Sequence, residues 1–263
     1  KVPFLAEVPE MEGDTSWKDK FRKKTDSHDK RIVVEASNRN VINEAFRVMR
    51  TNLDFMTSQS HGCKKIMVTS FNPNAGKTFI IMNIAATMAL RGAKVLIVDL
   101  DLRKGTLGIA LNMNRTGVSA YLNGKISDPV PAIQNLRENL DVLTVGSLPP
   151  NPAELLDSER FRGMMDVLAE HYDYVFMDCP PVDIVADSSI IAKSADYTIF
   201  VMRAGLFDKR GLPLLNDLYA SKVYSNMSLV LNGVDLTARK YGNYGRYGYG
   251  YGYGNIDSGS VNS

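Results

Sequence analysis

The chain has 263 residues, of which 44% are hydrophobic and 23% charged, and its net charge is +2. A chain of this length can bury one large α/β core, and its nearly balanced charge argues against general nucleic-acid binding. No apolar run reaches the ~18 residues that a membrane-spanning helix needs, and the cysteines, Cys63 and Cys179, lack metal-ligand spacing. These features predict a reduced, cytosolic domain, and the lack of a signal-peptide pattern after Lys1 predicts an excerpt of a longer chain.

The first 34 residues are predicted to be a linker, or a strap lying on another surface. They show no sustained apolar period and contain a strongly charged run at 17–31. This basic run could contact anionic lipid head groups. A solvated linker is the plainer alternative.

A helix is predicted over residues 38–58, where apolar residues recur at near-helical spacing: Val41, Ala45, Val48, Leu53 and Met56. On this helix Glu44, Arg47 and Arg50 share one broad stripe. Two interpretations remain open for the stripe. It is either a solvent-facing ladder of intrahelical ion pairs or a self-association face on which Glu44 of one subunit meets arginines of the next.

A phosphate-binding loop is predicted where the apolar run 66–68 gives way to a turn and then to a helix. The residues from the turn into the helix are Asn72, Pro73, Asn74, Ala75, Gly76, Lys77, Thr78 and Phe79. Such a loop presents N–H groups to phosphate oxygens, with Lys77 neutralising charge and Thr78 ligating Mg²⁺. Phe71 stands where such loops normally have Gly, so position 71 is predicted not to need positive φ. The alternative is a chance Gly-Lys-Thr at an ordinary helix start.

Two carboxylates follow the next predicted strand. A helix over 78–90, capped by Gly92, leads to a buried strand over 94–98 that ends in Asp99 and Asp101. If strand geometry continues, the two side chains point to one side, at the sheet edge where ligands bind in open α/β folds. Buried carboxylates need a metal or cation; the alternative is a plain charged exit from the strand.

A third acid, Asp178, ends the predicted strand 174–177, in the pattern of the second P-loop motif that reaches Mg²⁺ or its water shell. Its neighbour Cys179 is interpreted as a small buried residue, because no activating partner is identifiable. Past the last predicted strand, Asn232 and Gly233 are expected either to contact the nucleotide base or to form a simple turn.

The remaining segments alternate between strand and helix. Strands are predicted at 140–145, 195–202 and 227–231, and helices at 187–194, at 212–221 and from the N-cap Asn151 towards His171. Residues 106–137 are read as loop-rich. This alternation predicts a P-loop NTPase-like fold, with a mostly parallel sheet and helices on both faces.

From residue 238 onwards the composition changes to a glycine-rich tail that is predicted to be disordered. Its tyrosines alternate with glycine: Tyr241, Tyr244, Tyr247, Tyr249, Tyr251 and Tyr253. Aromatic–glycine tracts can bind single-stranded nucleic acid by stacking, but the tail carries little positive charge. Phosphoacceptor sites beside a nucleotide-binding domain are the preferred interpretation.

Taken together, these motifs resemble the cytoplasmic domain of a bacterial tyrosine kinase (BY-kinase) of the exopolysaccharide chain-length regulator type. The resemblance rests on Glu44/Arg47/Arg50, the Gly76-Lys77-Thr78 loop, Asp99/Asp101/Arg103, residues 148–156, residues 175–180 and the tyrosine tail. It implies a juxtamembrane segment at 1–34, a kinase domain at 35–237 and a flexible tail at 238–263. Lys77, Asp99, Asp101 and Arg103 would be catalytic, and Thr78, Asp99, Asp101 and Asp178 would hold the metal.

The resemblance also implies ATP and Mg²⁺ as cofactors, and autophosphorylation of the tail between the subunits of a ring. It implies a transmembrane activator region, fused or separate, a location at the cytoplasmic face of the plasma membrane, and a tyrosine phosphatase as partner. Two other classes remain open: a MinD- or ParA-like ATPase switch and a non-catalytic nucleotide-binding scaffold. A signature lysine early in the loop would favour the switch, and positions 70–75 contain none.

Overall fold

The computed structural model describes residues 1–10, 32–113, 116–182 and 186–236. These residues form one eight-stranded sheet with the order β1-β8-β7-β2-β6-β3-β5-β4. In chain order the strands are Phe4–Pro9, Lys64–Ser70, Val95–Asp99, Gln134–Arg137, Leu140–Leu143, Tyr174–Asp178, Tyr197–Arg203 and Met227–Val234. Only β4 runs antiparallel, in a hairpin with β5.

Eight α-helices lie within the described residues. In chain order, α1 to α8 are Val41–Thr57, Lys77–Ala89, Thr106–Leu111, Val118–Leu122, Pro152–Leu156, Glu159–Ala169, Asp187–Ala192 and Leu212–Ala220. No helix within these ranges combines the length and the apolar character that crossing a bilayer requires.

Helices cover both faces of the sheet, which confirms the predicted fold class. One core lies between α1, α2 and the strand side chains that include Ile66, Ile97 and Phe176. The other lies on the opposite face, where α6 and α7 pack over Met67, Val98 and Phe200. Because the central strands are buried on both faces, their sequences are continuously apolar rather than alternating.

The expectation of a linker over the first 34 residues is wrong for Phe4–Pro9. This segment is β1, which pairs in parallel with β8 at the edge of the sheet. Leu5 and Val8 are fully buried. A six-residue edge strand is too short to show a clear period in the sequence, and its burial depends on β8, which lies more than 200 residues further along the chain. The expectation also fails at the other end of the predicted linker, where Ile32 and Val34 are buried in the core; residues 11–31 lie outside the described residues.

Helix α1 agrees with the predicted helix, and Leu53 of the predicted apolar residues is buried, but the prediction is wrong for Val41 and Val48. Its buried side chains are Asn43, Phe46, Met49, Leu53 and Thr57, whereas Val41 and Val48 are 60% and 52% exposed. Two apolar stripes of similar spacing exist on this helix, and only its packing against α2 and β1 decides which one is buried.

Three further segments differ from the prediction. The helix expected to run from Asn151 towards His171 is broken into α5 and α6, because Ser158 caps a new helix by accepting a hydrogen bond from Phe161 N. The segment 106–137 contains α3, α4 and β4. Asn232 and Gly233 lie within β8 rather than after it.

Candidate active site

The site lies at the carboxyl ends of β2, β6 and β3, which are neighbours in the sheet. In the register of these strands Val68 pairs with Asp178, and Asp178 pairs with Asp99. Parallel pairing therefore brings three predicted features to one edge: the loop after β2, the acid that ends β6 and the acid that ends β3.

The loop after β2 is anchored at its start by Phe71. The Phe71 ring is 7% exposed and packs edge-on against Phe200, with ring centroids 4.9 Å apart, and against Phe207. Phe71 is not among the described residues with positive φ, as predicted; Asn74, with φ of 63°, takes that conformation instead. The aromatic side chain thus fixes the loop by packing where a glycine would act by flexibility.

Glycine is required at position 76 for two reasons. Its φ is 93°, which side chains rarely adopt, and a Cβ there would lie 2.1 Å from Asn232 Nδ2. Asn232 is 6% exposed, and its Nδ2 donates to Ala75 O at 2.9 Å. Asn232 therefore holds the loop from the neighbouring part of the sheet; whether it also reaches a base stays a prediction.

The loop ends in free donors at the start of α2. Within the described part of the chain, the N–H groups of Gly76, Lys77 and Thr78 donate to no other protein group, as is usual for the first turn of a helix. Lys77 Nζ lies 3.4 Å from Ser70 Oγ. Orphan N–H groups, a lysine and a helix N-terminus together suit a polyphosphate.

Asp178 faces the loop. Its Oδ2 accepts a hydrogen bond of 2.7 Å from Thr78 Oγ1, so the two predicted magnesium ligands lie in direct contact. The carboxyl is 3% exposed, and burial raises its pKa to about 6, although Lys77 and Thr78 oppose that shift. A buried carboxyl with a raised pKa beside a phosphate-type loop marks a candidate functional site.

Asp99 is fully buried. Its two oxygens accept hydrogen bonds from Asp101 N at 3.2 Å and from Leu107 N at 3.1 Å. Burial first, and then the charge of Asp178, hold its pKa well above the usual value. Asp99 therefore braces the turn that follows β3 and the start of α3.

The prediction that Asp99 and Asp101 point to one side as strand neighbours does not hold, because β3 ends at Asp99. Asp101 lies in a turn, where its backbone oxygen accepts hydrogen bonds from Lys104 N and Gly105 N. Its side chain is partly exposed. Arg103, in the same turn, forms a two-bond ion pair with Asp187.

The donor set fits Mg²⁺ held together with phosphate better than Mg²⁺ held by protein alone. Within the described ranges, no three or more His, Cys, Asp or Glu side chains converge as a self-sufficient metal site. Mg²⁺ in nucleotide sites usually keeps water and phosphate ligands and takes one or two from the protein. Thr78 and Asp178 match that demand directly, whereas Asp99 is already bonded within the chain.

Sequence reasoning missed two residues of this region. Asp187 was read only as part of a helix, and Asn232 only as a base contact or turn residue. No local signal could have found either role, because their partners Arg103 and Ala75 lie 84 and 157 residues away. Cys179, by contrast, is buried as predicted, and burial raises the pKa of its thiol.

The residues predicted to mediate oligomerisation, Glu44, Arg47 and Arg50, lie on α1. Glu44 and Arg47 form an intrahelical ion pair, and Arg47 Nη2 also donates to Ala36 O and Asn38 O. Burial, and then the charge of Arg91, lower the pKa of Arg50. The intrahelical interpretation thus holds for Glu44 with Arg47, while a contact between subunits stays a prediction. The tail tyrosines lie outside the described residues.

The fold and this edge define a P-loop nucleotide-binding domain, and comparison with known proteins narrows the class. Residues 63–231 match the family described as an AAA domain. The chain is 34% identical to the tyrosine-protein kinase YwqD of Bacillus subtilis over 87% of its own length and 96% of that protein. The kinase domain of Escherichia coli tyrosine kinase Etk superposes with a TM-score of 0.75 at 31% identity, covering 96% of this chain and 95% of that one.

The chain therefore belongs to the family of bacterial tyrosine-protein kinases, as its motifs predict. It spans only 26% of the full-length Etk of E. coli strain K12, to which it is 34% identical. The septum site-determining protein MinD of Pyrococcus horikoshii, solved with Mg-ADP, has a TM-score of 0.55 at 20% identity. That likeness shows the fold alone and does not favour the ATPase-switch alternative.

Proposed function

We propose that this protein is an ATP-dependent protein-tyrosine autokinase. The observation that carries the proposal is the convergence of the Gly76-Lys77-Thr78 loop, Asp178 and the Asp101 turn at one sheet edge, in a chain related to tyrosine-protein kinases over most of its length. ATP and Mg²⁺ would be held by residues 72–79 together with Asp178. The metal would neutralise charge on the phosphates during transfer.

Each catalytic residue takes a role that its surroundings allow. Lys77 is the phosphate-binding cation, supported by Ser70. Asp101 orients the acceptor hydroxyl and accepts its proton, since it is the more exposed of the two acids after β3. Asp99 acts as a brace, because both of its oxygens are already engaged.

The acceptors are the tail tyrosines, Tyr241 to Tyr253, presented to a neighbouring subunit. The exposed side of α1 supports self-association: Val41, Val48 and Phe55 recur every seven residues and are 60%, 52% and 81% exposed. Residues seven apart lie on one helical stripe, so the three side chains form an exposed apolar row, and exposed apolar patches mark candidate interaction sites. Glu44 lies beside the stripe on the same exposed side of the helix.

The setting of the activity follows from the family resemblance. The protein would act at the cytoplasmic face of the plasma membrane, with a transmembrane activator region and an opposing tyrosine phosphatase, in exopolysaccharide synthesis or export. The charged run at 17–31, which lies outside the described residues, would contact anionic lipid.

The test is intact-mass analysis after incubation with Mg-ATP. We expect successive additions of about 80 Da, one for each phosphate, that map to the tail. Lys77→Met should abolish them, because the phosphate charge is no longer neutralised, while the fold is retained. ATP hydrolysis without any mass increase would instead support the ATPase switch, and full phosphorylation of a folded Lys77→Met variant would contradict the site.

A further inference from the structure

One ion pair ties the turn that carries Asp101 to helix α7. Arg103 Nε donates to Asp187 Oδ2 at 2.8 Å, and Arg103 Nη2 donates to Asp187 Oδ1 at 3.0 Å. The Asp187 side chain is 2% exposed, whereas that of Arg103 is 43% exposed. The pair thus has a buried, fixed end and an open end that reaches the surface of the site.

The buried end is held rigidly. Asp187 is the first residue of α7. The next residue, Ser188, donates from Oγ to Pro180 O at 2.7 Å, and the same oxygen accepts from Thr69 Oγ1 at 2.8 Å. These bonds connect α7 to β2 and to the exit of β6, so Asp187 has a fixed position relative to Asp178.

Apart from the hydrogen bond of Asp101 N to Asp99 Oδ1 and the burial of Leu102, the described contacts of the open end lie within its own turn. Lys104 N donates both to the backbone oxygen of Asp101 and to its Oδ1. These contacts close the turn on itself. Within the described residues, the side-chain hydrogen bonds that join this turn to α7 are those of the ion pair.

We propose that Asp187 is a positioning residue for phosphoryl transfer, acting through Arg103; this rests on the kinase function proposed above. The fork geometry uses two of the five N–H donors of the guanidinium. The other three belong to a partly exposed side chain beside Asp101, and they are available to an anionic phosphate group. Asp187 fixes where those donors lie and holds the Asp101 turn in place.

The unequal burial of the pair predicts an unequal response to mutation. Asp187→Asn removes the buried charge and leaves Arg103 partly in solvent, so the thermal unfolding temperature should fall little. Arg103→Gln leaves a carboxylate buried without a partner, which is the costly case. We therefore expect the lower unfolding temperature for Arg103→Gln.

The experiment compares Asp187→Asn, Arg103→Lys and their double variant with wild type. We expect kcat for autophosphorylation to fall about tenfold or more in Asp187→Asn with the KM for ATP changed less than about twofold, the pattern of an interaction needed for transfer rather than binding. In Arg103→Lys, kcat should fall by a comparable factor, since lysine keeps the charge but cannot form the two-bond ion pair with Asp187. The double variant should be no slower than the worse single variant, because both disrupt one unit.

The matched control is Asp157→Asn, which breaks the exposed Lys193–Asp157 pair at 3.4 Å beside the same helix. It should leave kcat unchanged. Wild-type kcat in Asp187→Asn, or additive losses in the double variant, would overturn the proposal. The proposal would also be overturned if Asp187→Asn lowered kcat, raised the KM for ATP and lowered the unfolding temperature together, because that pattern indicates a purely structural role.

Hydrogen exchange gives a readout that does not need activity. In Asp187→Asn, amides of residues 101–105 should exchange faster while those of 76–80 stay as in wild type. Unchanged exchange at 101–105 contradicts the inference even if the protein proves not to be a kinase. A wild type that never gains phosphate contradicts only the proposed function.

Discussion

At the scale of single residues, the site is built from groups that weaken the fold. Asp99 and Asp178 are buried carboxyls with raised pKa values, and Gly76 occupies a conformation that other residues avoid. Such costs persist where a ligand later supplies the missing partner. For Asp178, the missing partner would be the magnesium ion of the proposed site.

The pKa of Asp178 yields a stability prediction. Burial raises this pKa from 3.8 to about 6 in the folded state. The contribution of Asp178 to the free energy of unfolding is therefore fully present below its pKa in the unfolded chain, and it is lost as the pH rises through its pKa in the folded state. Asp178→Asn cannot titrate and can still accept from Thr78. At pH 7.5 it should therefore raise the free energy of unfolding by about 1–3 kcal/mol, at ~1.4 kcal/mol per pKa unit.

Urea unfolding between pH 4 and 8 measures this effect. The advantage of the variant should grow from pH 4 to above 6 and then level off. Mg-ADP should stabilise wild type more than the variant, because the metal contact is lost. An advantage that does not change with pH would contradict the burial argument.

At the scale of elements, helix α1 has a buried face and an exposed apolar face. One face, with Phe46, Met49 and Leu53, is part of the core, and the opposite face exposes Val41, Val48 and Phe55 beside Glu44. Since Glu44 pairs with Arg47 within the helix, a contact in which Glu44 meets arginines of another subunit would exchange this pair for a new one. Such an exchange favours association that can be reversed.

Replacing Glu44, Arg47 and Arg50 together by Ala tests the self-association face. An exposed intrahelical pair contributes only about 0.3–0.5 kcal/mol, so the fold should survive, while particles measured by light scattering should become smaller. The control replaces Glu159 and Arg162, the corresponding pair three residues apart on α6, and should leave particle size unchanged. An unchanged mass distribution in the triple variant would instead support the alternative interpretation, a solvent-facing ladder of intrahelical ion pairs.

At the scale of the whole molecule, the open question is which subunit's site would modify the tail tyrosines, which lie outside the described residues. A flexible chain of about 24 residues would have a root-mean-square reach of roughly 25–30 Å, so a tail of the predicted kind could reach a neighbour's site. Each phosphate adds about −1.5 to −2 charges, so modified tails repel one another and nearby acidic surface. Phosphorylation should therefore loosen an assembly of such chains.

A mixing experiment distinguishes transfer between subunits from transfer within one. A Lys77→Met chain with an intact tail is combined with an active chain whose six tail tyrosines are replaced by Phe. Phosphate on the Lys77→Met chain, detected by intact mass, is the expected outcome. If the two chains co-assemble and that chain gains none, transfer between subunits is ruled out.

The sequence by itself determined the fold class, the phosphate loop and the three acids. These features are encoded locally: buried parallel strands are continuous apolar runs, and the loop and the acids follow them directly along the chain. The order of alternating strands and helices then allows few topologies, so the common edge could be predicted before any contact was known.

Four features were decided only by the tertiary structure. They are the pairing of β1 with β8, the buried face of α1, the hydrogen bond from Asn232 to Ala75 O and the ion pair of Arg103 with Asp187. Each of these depends on residues distant in the chain, and no local pattern marks them. Val41 and Phe46 are equally apolar candidates for the core until α2 and β1 cover one of them. Likewise, Asp187 is one acid at a helix start until parallel pairing of β3 and β6 brings Arg103 within 2.8 Å, because packing rather than propensity selects the partner of a buried charge.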